Sequence, residues 1–536
     1  MTTAITESLP ILKGEPFRQR IEEICRQVPQ PQPVDGIRYK NILIPQMVGG
    51  ELEFAVMGFL GQSLRMRGAS VTGLLCDSFL PACVCRKVDH HESACTRWCH
   101  RNSGPFARAM RFPHRWYSEF IRDSEKTQCI DLANSLAIDE IEAFRFHDIP
   151  VGSLVAESME SYFLVGRCDW RDPEVQRKAR EFLLSAFCLT IIANRAMDEF
   201  ATQKVLSDCG MHVDWGVFRL VANQRGIPVD VLNVGLRGNS LKLETDRPGQ
   251  ITQRVPGWHA WRDIPLTDEQ NRKLDEYLNR REKVPYEFKG EKWQSRVTDV
   301  DRVAEAVGLP AERSGKVFSM FPNVGYDAGK LKTDFAFEHI SDWIVQTVAW
   351  FADRPEHHLI IKIHPGEVHR EARDLTADLL TQHFSNLPSN VHVVQPITDI
   401  TAHSVVKLAD VVLTFTSTVS AEAAGLGKPV IMTGGGRHAG HDVTIDATSP
   451  EAYFAMLADI CEGRWMPYSP GDLGRRYAYS LFFRADIPLN HFRRYDMDIA
   501  EIHINSLEDL LPGRDLCMDA MCREVLCDDL FENPIQ

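Results

Sequence analysis

Two loops in the second half of the chain carry residue types suited to phosphate chemistry. In KIHPGE (362–367), His364 follows the buried run Leu359–Ile363 and precedes Pro365, which holds it in extended backbone. An imidazole fixed at a strand end can donate to a phosphate oxygen and help a nucleotide leave. A turn histidine satisfied by its own backbone is the plainer alternative. In TFTSTVSAEAAGLGKPVI (414–431), a strand delivers Thr414, Thr416, Ser417 and Thr418 to a helix start, where unpaired amides and the helix dipole favour an anion. Glu422, about a turn later, is placed to accept from ribose hydroxyls; an ordinary Ser/Thr cap competes with this reading. A third loop, TGGGRHAGHD (433–442), offers Gly435 and Arg437 with His438 and His441. It reads equally as a mobile ligand loop or a plain flexible link.

The first half holds a different cluster. Cys76, Cys83, Cys85, Cys95 and Cys99 fall within 24 residues, with His90, His91 and His100 among them. Four thiolates, Cys76, Cys83, Cys95 and Cys99, would close a zinc site or hold an iron–sulfur cluster, and the metal would order a segment poor in apolar residues. Unligated thiols are the alternative. Catalysis itself is expected to need no cofactor, because the hydroxyl loop already meets the phosphate charge. Cys517, Cys522 and Cys527 recur every five residues, an advance of ~140° per step on a helix, and read as packing.

These residues need elements to hold them. Apolar β-branched runs alternate with helix-period stretches, as parallel sheets with crossover helices require. Strands are expected at Asn41–Pro45, Val71–Cys76, Lys204–Asp208 and Val229–Val234, and again at Val317–Phe321, Leu359–Ile363, Val391–Val394, Val411–Phe415 and Pro429–Met432. Helices are expected at Leu52–Arg67 and Trp215–Arg225. A further helix carries Ile340, Trp343, Ile344, Thr347, Val348 and Phe351 on one face. The α/β pattern divides into an N-terminal domain (1–300) with a Cys/His-rich insertion at about 79–115, a second Rossmann-like domain (301–470) and a helical extension (471–536).

At 536 residues the chain exceeds one hydrophobic core. Its net charge of -14 argues against general affinity for nucleic acid or an anionic membrane surface. The longest apolar run, Phe182–Ala193, falls short of the ~20 residues that span a bilayer. No basic and apolar leader opens the chain, so a cytoplasmic location is expected.

The stretches FPNVGYD (321–327), WIVQTVAWFADRPEHHLIIKIHPGE (343–367) and ADVVLTFTSTVSAEAAGLGKPVI (409–431) resemble the capsule polysaccharide biosynthesis glycosyltransferases, relatives of Kdo transferases and bacterial sialyltransferases. LSDCGMHVDWGVFRLVANQRGIPV (206–229) is similar to that family's N-domain strand–loop–helix. The resemblance implies a GT-B fold, two Rossmann-like domains facing a cleft. The donor, a CMP-sugar acid such as CMP-Kdo or a UDP-sugar, would lie in the second domain. The acceptor, a surface polysaccharide or a lipid-linked glycan, would lie on the first. It implies His364 assisting nucleotide departure, Ser417 and Thr418 on the phosphate, Glu422 near the ribose, and Asn323 and Asp327 facing the cleft, with Lys362, Thr416, Gly435 and Arg437 completing the donor set. A base must also take the acceptor proton. Strand-end candidates are Asp208, His212, Asp214, Glu51 and Asp77, with His212 or Asp214 favoured by the resemblance. A nucleotide-sugar epimerase of the same fold and a non-catalytic nucleotide- or carbohydrate-binding protein are the alternatives.

Overall fold

A computed structural model of the protein describes residues 11–45, 47, 50–88, 95–237, 239–245, 255, 257–283, 297–327, 336–369, 371–433, 435–465, 467–495, 498–529 and 533–534. His90 and His91 lie outside these residues. The chain forms two compact units. The N-terminal unit gathers Met1–Tyr162, Cys168–Gln250 and Phe483–Gln536; the C-terminal unit gathers Phe163–Arg167 and Ile251–Phe482.

In the N-terminal unit the strands are β1 (Asn41–Ile44), β2 (Ser70–Leu75), β3 (His114–Trp116), β4 (Lys204–Asp208), β5 (Val229–Val234) and β6 (Ser240–Thr245). Their order is β6-β5-β4-β1-β2-β3, parallel except for β6, and a short antiparallel strand, Ile487–Pro488, extends the β6 edge. The strand order therefore reverses between β1 and β4, the position at which open α/β sheets open a crevice. Glu51–Met66 is the helix after β1 and is buried along nearly its whole length. The apolar run 182–193 lies inside the long helix Pro173–Glu199, whose Asp172 cap accepts from the Glu174 N–H ahead of Pro173. Among the described residues no helix is long and apolar enough to cross a membrane.

Two expectations change here. Residues 79–115 are not wholly an insertion, because the helix Arg101–Ala109 and β3 complete a crossover on the sheet edge, with β3 parallel to β2. The C-terminal residues do not form a separate extension either. The helix Leu516–Cys527 packs on the N-terminal unit, burying Cys517, Cys522 and Cys527. The buried Arg67 guanidinium reaches Asp519 and the Leu510 carbonyl (2.8 Å), and the Lys204 ammonium reaches both Asp230 (2.7 Å) and Asp528 (2.8 Å). Charges buried this deeply persist only when paired, so these contacts fix where the chain end docks.

The C-terminal unit carries β7 (Val317–Phe321), β8 (His358–Lys362), β9 (Val391–Val394), β10 (Val411–Thr414), β11 (Val430–Met432) and β12 (Ile445–Asp446). All pair in parallel in the order β12-β11-β10-β7-β8-β9, which is the doubly wound order with its reversal between β7 and β10. The continuous apolar runs follow from burial on both faces. Phe318, Met320, Ile361 and Leu413 pack under Trp343 and Phe351 of the helix Ile340–Ala352, while Val317, Ile360, Val412 and Val430 pack on the opposite side with Val405 and Ala423. Both units are thus Rossmann-like, the expected fold class.

Candidate functional site

The register of the second sheet aligns the residues of interest. Thr414 pairs with Phe321 and Met320 pairs with Ile361, so Phe321 stands level with Lys362. Two residues beyond that level on each strand come Thr416, Asn323 and His364. They form a row across β10, β7 and β8, with β7 in the middle. At strand spacings of ~4.8 Å the outer two stand roughly 10 Å apart at the backbone. This row crosses the reversal of strand order.

Asn323 closes the row on one side. Its Oδ1 accepts the Thr416 backbone N–H at 3.2 Å, tying the end of β7 to the end of β10. Thr416 is only 6% exposed, and its hydroxyl is buried with no hydrogen-bond partner among the described residues. A buried hydroxyl without a partner is costly, so this atom is a candidate contact for a bound group. Ser417, also buried, accepts the Val419 N–H at 3.3 Å. Thr418 is half-buried at the helix start.

The helix amides do less than expected. The N–H groups of Ser420 and Ala421 already donate to the carbonyls of Ser417 and Thr418, and those of Thr416 and Val419 are engaged as above. That leaves this turn its hydroxyls and the N–H groups of Ser417 and Thr418, which donate to no backbone carbonyl among the described residues. Thr414 is not among them, since its hydroxyl pairs with Ser420 in the core at 2.8 Å. The small residues of Val419–Gly425 serve a helix crossing rather than only approach to the sheet. A Cβ on Gly425 would stand 3.0 Å from the Ala478 Cβ, and one on Gly474 would stand 2.3 Å from the Ala424 carbonyl oxygen. Glu422 is buried within this crossing helix.

His364 is exposed at the other end of the row. Its Nδ1 accepts the Gly366 N–H at 2.9 Å, so in the neutral ring the proton sits on Nε2, the nitrogen suited to donate away from its own turn. Gly366 is required by space. A Cβ there would come within 2.7 Å of His364 Nδ1 and 2.9 Å of a Val324 methyl. The buried Glu367 accepts from both the backbone N–H (3.0 Å) and the hydroxyl of Thr376, which pins the turn, and burial holds its carboxyl above the ordinary range.

Other expected donor residues are placed differently. Lys362 is buried, and its ammonium reaches the carbonyls of Ile363 (3.2 Å), Gln395 (2.7 Å) and Pro396 (3.2 Å). Three donors on three carbonyls make it a tie between the ends of β8 and β9 rather than a group turned to a donor. Asp327 ends the turn Gly325–Asp327, and its side chain lies outside the described residues. The described part of the glycine loop is anchored. The Tyr477 hydroxyl donates to the Arg437 carbonyl (3.1 Å), so the buried His438 must carry its proton on Nδ1 to meet the same hydroxyl at 2.9 Å. Gly440 N–H donates to Asp446 at 2.8 Å. Gly435 is half-buried and the Arg437 side chain buried within this packed loop.

In the N-terminal unit the candidate bases sit in different surroundings. Asp214 is 0% exposed and accepts the Val84 N–H at 2.9 Å, and burial raises its pKa well above the ordinary value. A fully enclosed carboxyl has no path to an acceptor hydroxyl. Glu51 accepts the Gly14 N–H at 2.9 Å and is structural. Asp77 is half-buried after β2. Asp208, by contrast, ends β4 at the reversal of strand order, beside a cavity of about 30 Å³ that it lines with Glu53, Met57 and Leu232. Burial and the neighbouring Glu53 push its carboxyl up to about 7. The following loop is strained, with Cys209, Gly210 and His212 all at positive φ (58°, 66° and 59°). His212 is half-buried there. The environment that singles out Asp208 was invisible in its residue type.

The cysteines Cys76, Cys83 and Cys99 are buried, and Cys85 and Cys95 half-buried; none of these five is in a disulfide. Among the described residues no group of three metal-ligating side chains stands where one ion could be held.

No family model matches the chain. No curated protein matches it either. Among solved structures it is similar to KpsC, the beta Kdo 2,7 transferase of Thermosulfurimonas dismutans, at 13% identity, covering 60% of this chain and 90% of that one, with a TM-score of 0.32. It is also similar to UDP-GlcNAc 2-epimerase of Neisseria meningitidis bound to UDP-GlcNAc (12% identity, 82% and 99% covered, TM-score 0.24) and to the Streptomyces glycosyltransferase SsfS6 (10% identity, 82% and 94% covered, TM-score 0.23).

Proposed function

We propose that the protein is a glycosyltransferase whose C-terminal unit binds the phosphate of a nucleotide-activated sugar at the reversal point between β7 and β10. The observation that carries this reading is the buried, unpartnered Thr416 hydroxyl, which Asn323 and its backbone hold in a row with His364. A phosphate oxygen there accepts from the Thr416 hydroxyl, with Ser417 and Thr418 beside it. His364, protonated on Nε2, donates to the departing phosphate and offsets the charge that develops as the sugar–phosphate bond breaks. Asp208 is the acceptor-side base in this reading, because a carboxyl titrating near neutrality is suited to take a hydroxyl proton. Glu422 and Arg437 remain candidates for the sugar and ribose.

The donor is a CMP-sugar acid such as CMP-Kdo, or a UDP-sugar, and the acceptor a surface polysaccharide or other glycan, in line with the resemblance of the HPGE and Ser/Thr loops. Calorimetric titration with CMP, UDP, GDP, CDP and dTDP tests the first half of this reading. One nucleotide should bind, and Thr416→Val should weaken it. Failure of all five to bind would remove the reading's basis. Incubation with the matching nucleotide sugar and no acceptor then separates transfer from epimerisation, since only an epimerase would isomerise the sugar.

A further inference from the structure

We propose that Asp374 is a positioning residue: with a clasp formed by Leu164 and Gly166, it holds the His364 turn and the Asn323 turn at the spacing the phosphate row needs. The purpose given to that spacing rests on the nucleotide reading above; the geometry does not.

Residues Phe163–Arg167 belong to the C-terminal unit, although the chain on either side of them belongs to the N-terminal one. Leu164 shows how firmly they are held. It is 5% exposed and sits at φ 61°, a left-handed backbone that a bulky side chain rarely adopts. Such strain persists only where the surroundings over-determine it. Here Leu164 packs with Val324, Tyr326 and Ala372, and its carbonyl accepts the Arg373 N–H at 2.9 Å. Two residues on, the Gly166 N–H donates to Asp374 Oδ2.

Space requires both glycines of this contact. A Cβ on Gly166 would stand 3.0 Å from Asp374 Oδ2 and 3.1 Å from both the Cα and the carbonyl carbon of Gly325. A Cβ on Gly325 would stand 2.8 Å from the same carboxylate oxygen. The Asp374 carboxylate is therefore seated against two backbones that lie on one another. Gly325 is two residues beyond Asn323, and Val324 between them carries the methyl that faces Gly366.

The same segment is tied to the His364 turn by its ends. The Ala372 N–H donates to the Glu367 carbonyl at 3.1 Å, and the Thr376 N–H donates to the Glu367 carboxylate at 3.0 Å. Arg373 and Asp374, between those ends, hold the clasp. Residues 372–376 thus reach the turn after β7 and the turn after β8, the strands that deliver Asn323 and His364. Asp374 acts on the row only through these neighbours.

The test compares Asp374→Ala, Asp374→Asn and Gly166→Ala with wild type; Asp374 is exposed, so its variants should fold. The first measurement needs no substrate. Protein carrying 13C at histidine Cε1 gives a His364 signal, identified by its loss in His364→Gln. Asp374→Ala and Gly166→Ala should shift that signal, and Asp374→Asn, whose Oδ1 still accepts from Gly166, should bring it most of the way back. In turnover, Asp374→Ala should lower kcat about tenfold, the size of one charge-assisted hydrogen bond. KM for the donor should change little, because Thr416 and its neighbours on β10 still hold the phosphate. An unmoved His364 signal, or a loss of melting temperature with kcat unchanged, would overturn the proposal. Failure of every nucleotide to bind wild type would remove the nucleotide reading alone and leave the His364 signal to decide whether the brace exists.

Discussion

Asn323 Oδ1 accepts the backbone N–H of Thr416 at 3.2 Å, and this bond joins the ends of the two strands between which the C-terminal sheet reverses its order. It fixes the Thr416 backbone while leaving the Thr416 hydroxyl buried and without a partner. Backbone order and side-chain readiness are thus supplied by different atoms of the same two residues.

Asn323→Ala should weaken nucleotide binding by about tenfold, equivalent to about 1.4 kcal/mol, because the freed Thr416 N–H lets the turn relax. Calorimetric titration of the variant measures this. Unchanged affinity would mean that the bond organises nothing a ligand uses.

His364→Ala should lower turnover by roughly 10²–10⁴-fold, the usual worth of a positioned acid, with little change in nucleotide affinity. His364→Gln, which retains an N–H near the Nε2 position, should fall less. Steady-state rates of nucleotide release from the donor compare the two, and equal losses would deny Nε2 its role as donor.

Tyr477→Phe removes the hydroxyl shared by His438 Nδ1 and the Arg437 carbonyl, both buried. Leaving those groups unsatisfied should cost about 1–3 kcal/mol, read from urea unfolding. A loss confined to activity would show instead that the loop after β11 is mobile.

Stability of the N-terminal unit should rise as pH falls from 8 towards 6. Asp208 and Glu524 are pushed by burial from ordinary values of 3.8 and 4.5 up to about 7, Asp208 with Glu53 and Glu524 with Asp230 as like-charged neighbours. A raised carboxyl makes the folded chain hold more protons than the unfolded one between those values. Stability is therefore greatest below the unfolded pKa and is lost as pH rises through the folded one. Melting temperature against pH measures the slope, and Glu524→Gln and Asp208→Asn should each flatten it.

Much of this architecture was legible because buried parallel strands leave continuous apolar runs. Val391–Val394 and Lys204–Asp208 stand where their composition places them, and Val317–Phe321 does so too. The HPGE and Ser/Thr loops were legible as polar residues at strand ends. Less visible was whatever depends on distant partners. Asp208 and Asp214 are the same residue type six positions apart, and only burial shows that one lines a cavity while the other is sealed among thiols. Lys362 reads from sequence as one of the donor set because its carbonyl partners come from the end of β9, over thirty residues away. The return of 483–536 to the N-terminal unit depends on contacts such as Arg67 with Asp519 and Lys204 with Asp528, which no local pattern announces.

Thr416→Val reads the central claim most directly, because removal of the hydroxyl acts with opposite sign on the free and bound protein. In the free chain it relieves a buried unsatisfied group, so the variant should be as stable as wild type or more so by about 1–3 kcal/mol. The nucleotide that binds wild type should bind the variant at least tenfold more weakly. A variant that is less stable than wild type when free, and that binds the nucleotide equally well, would contradict the account.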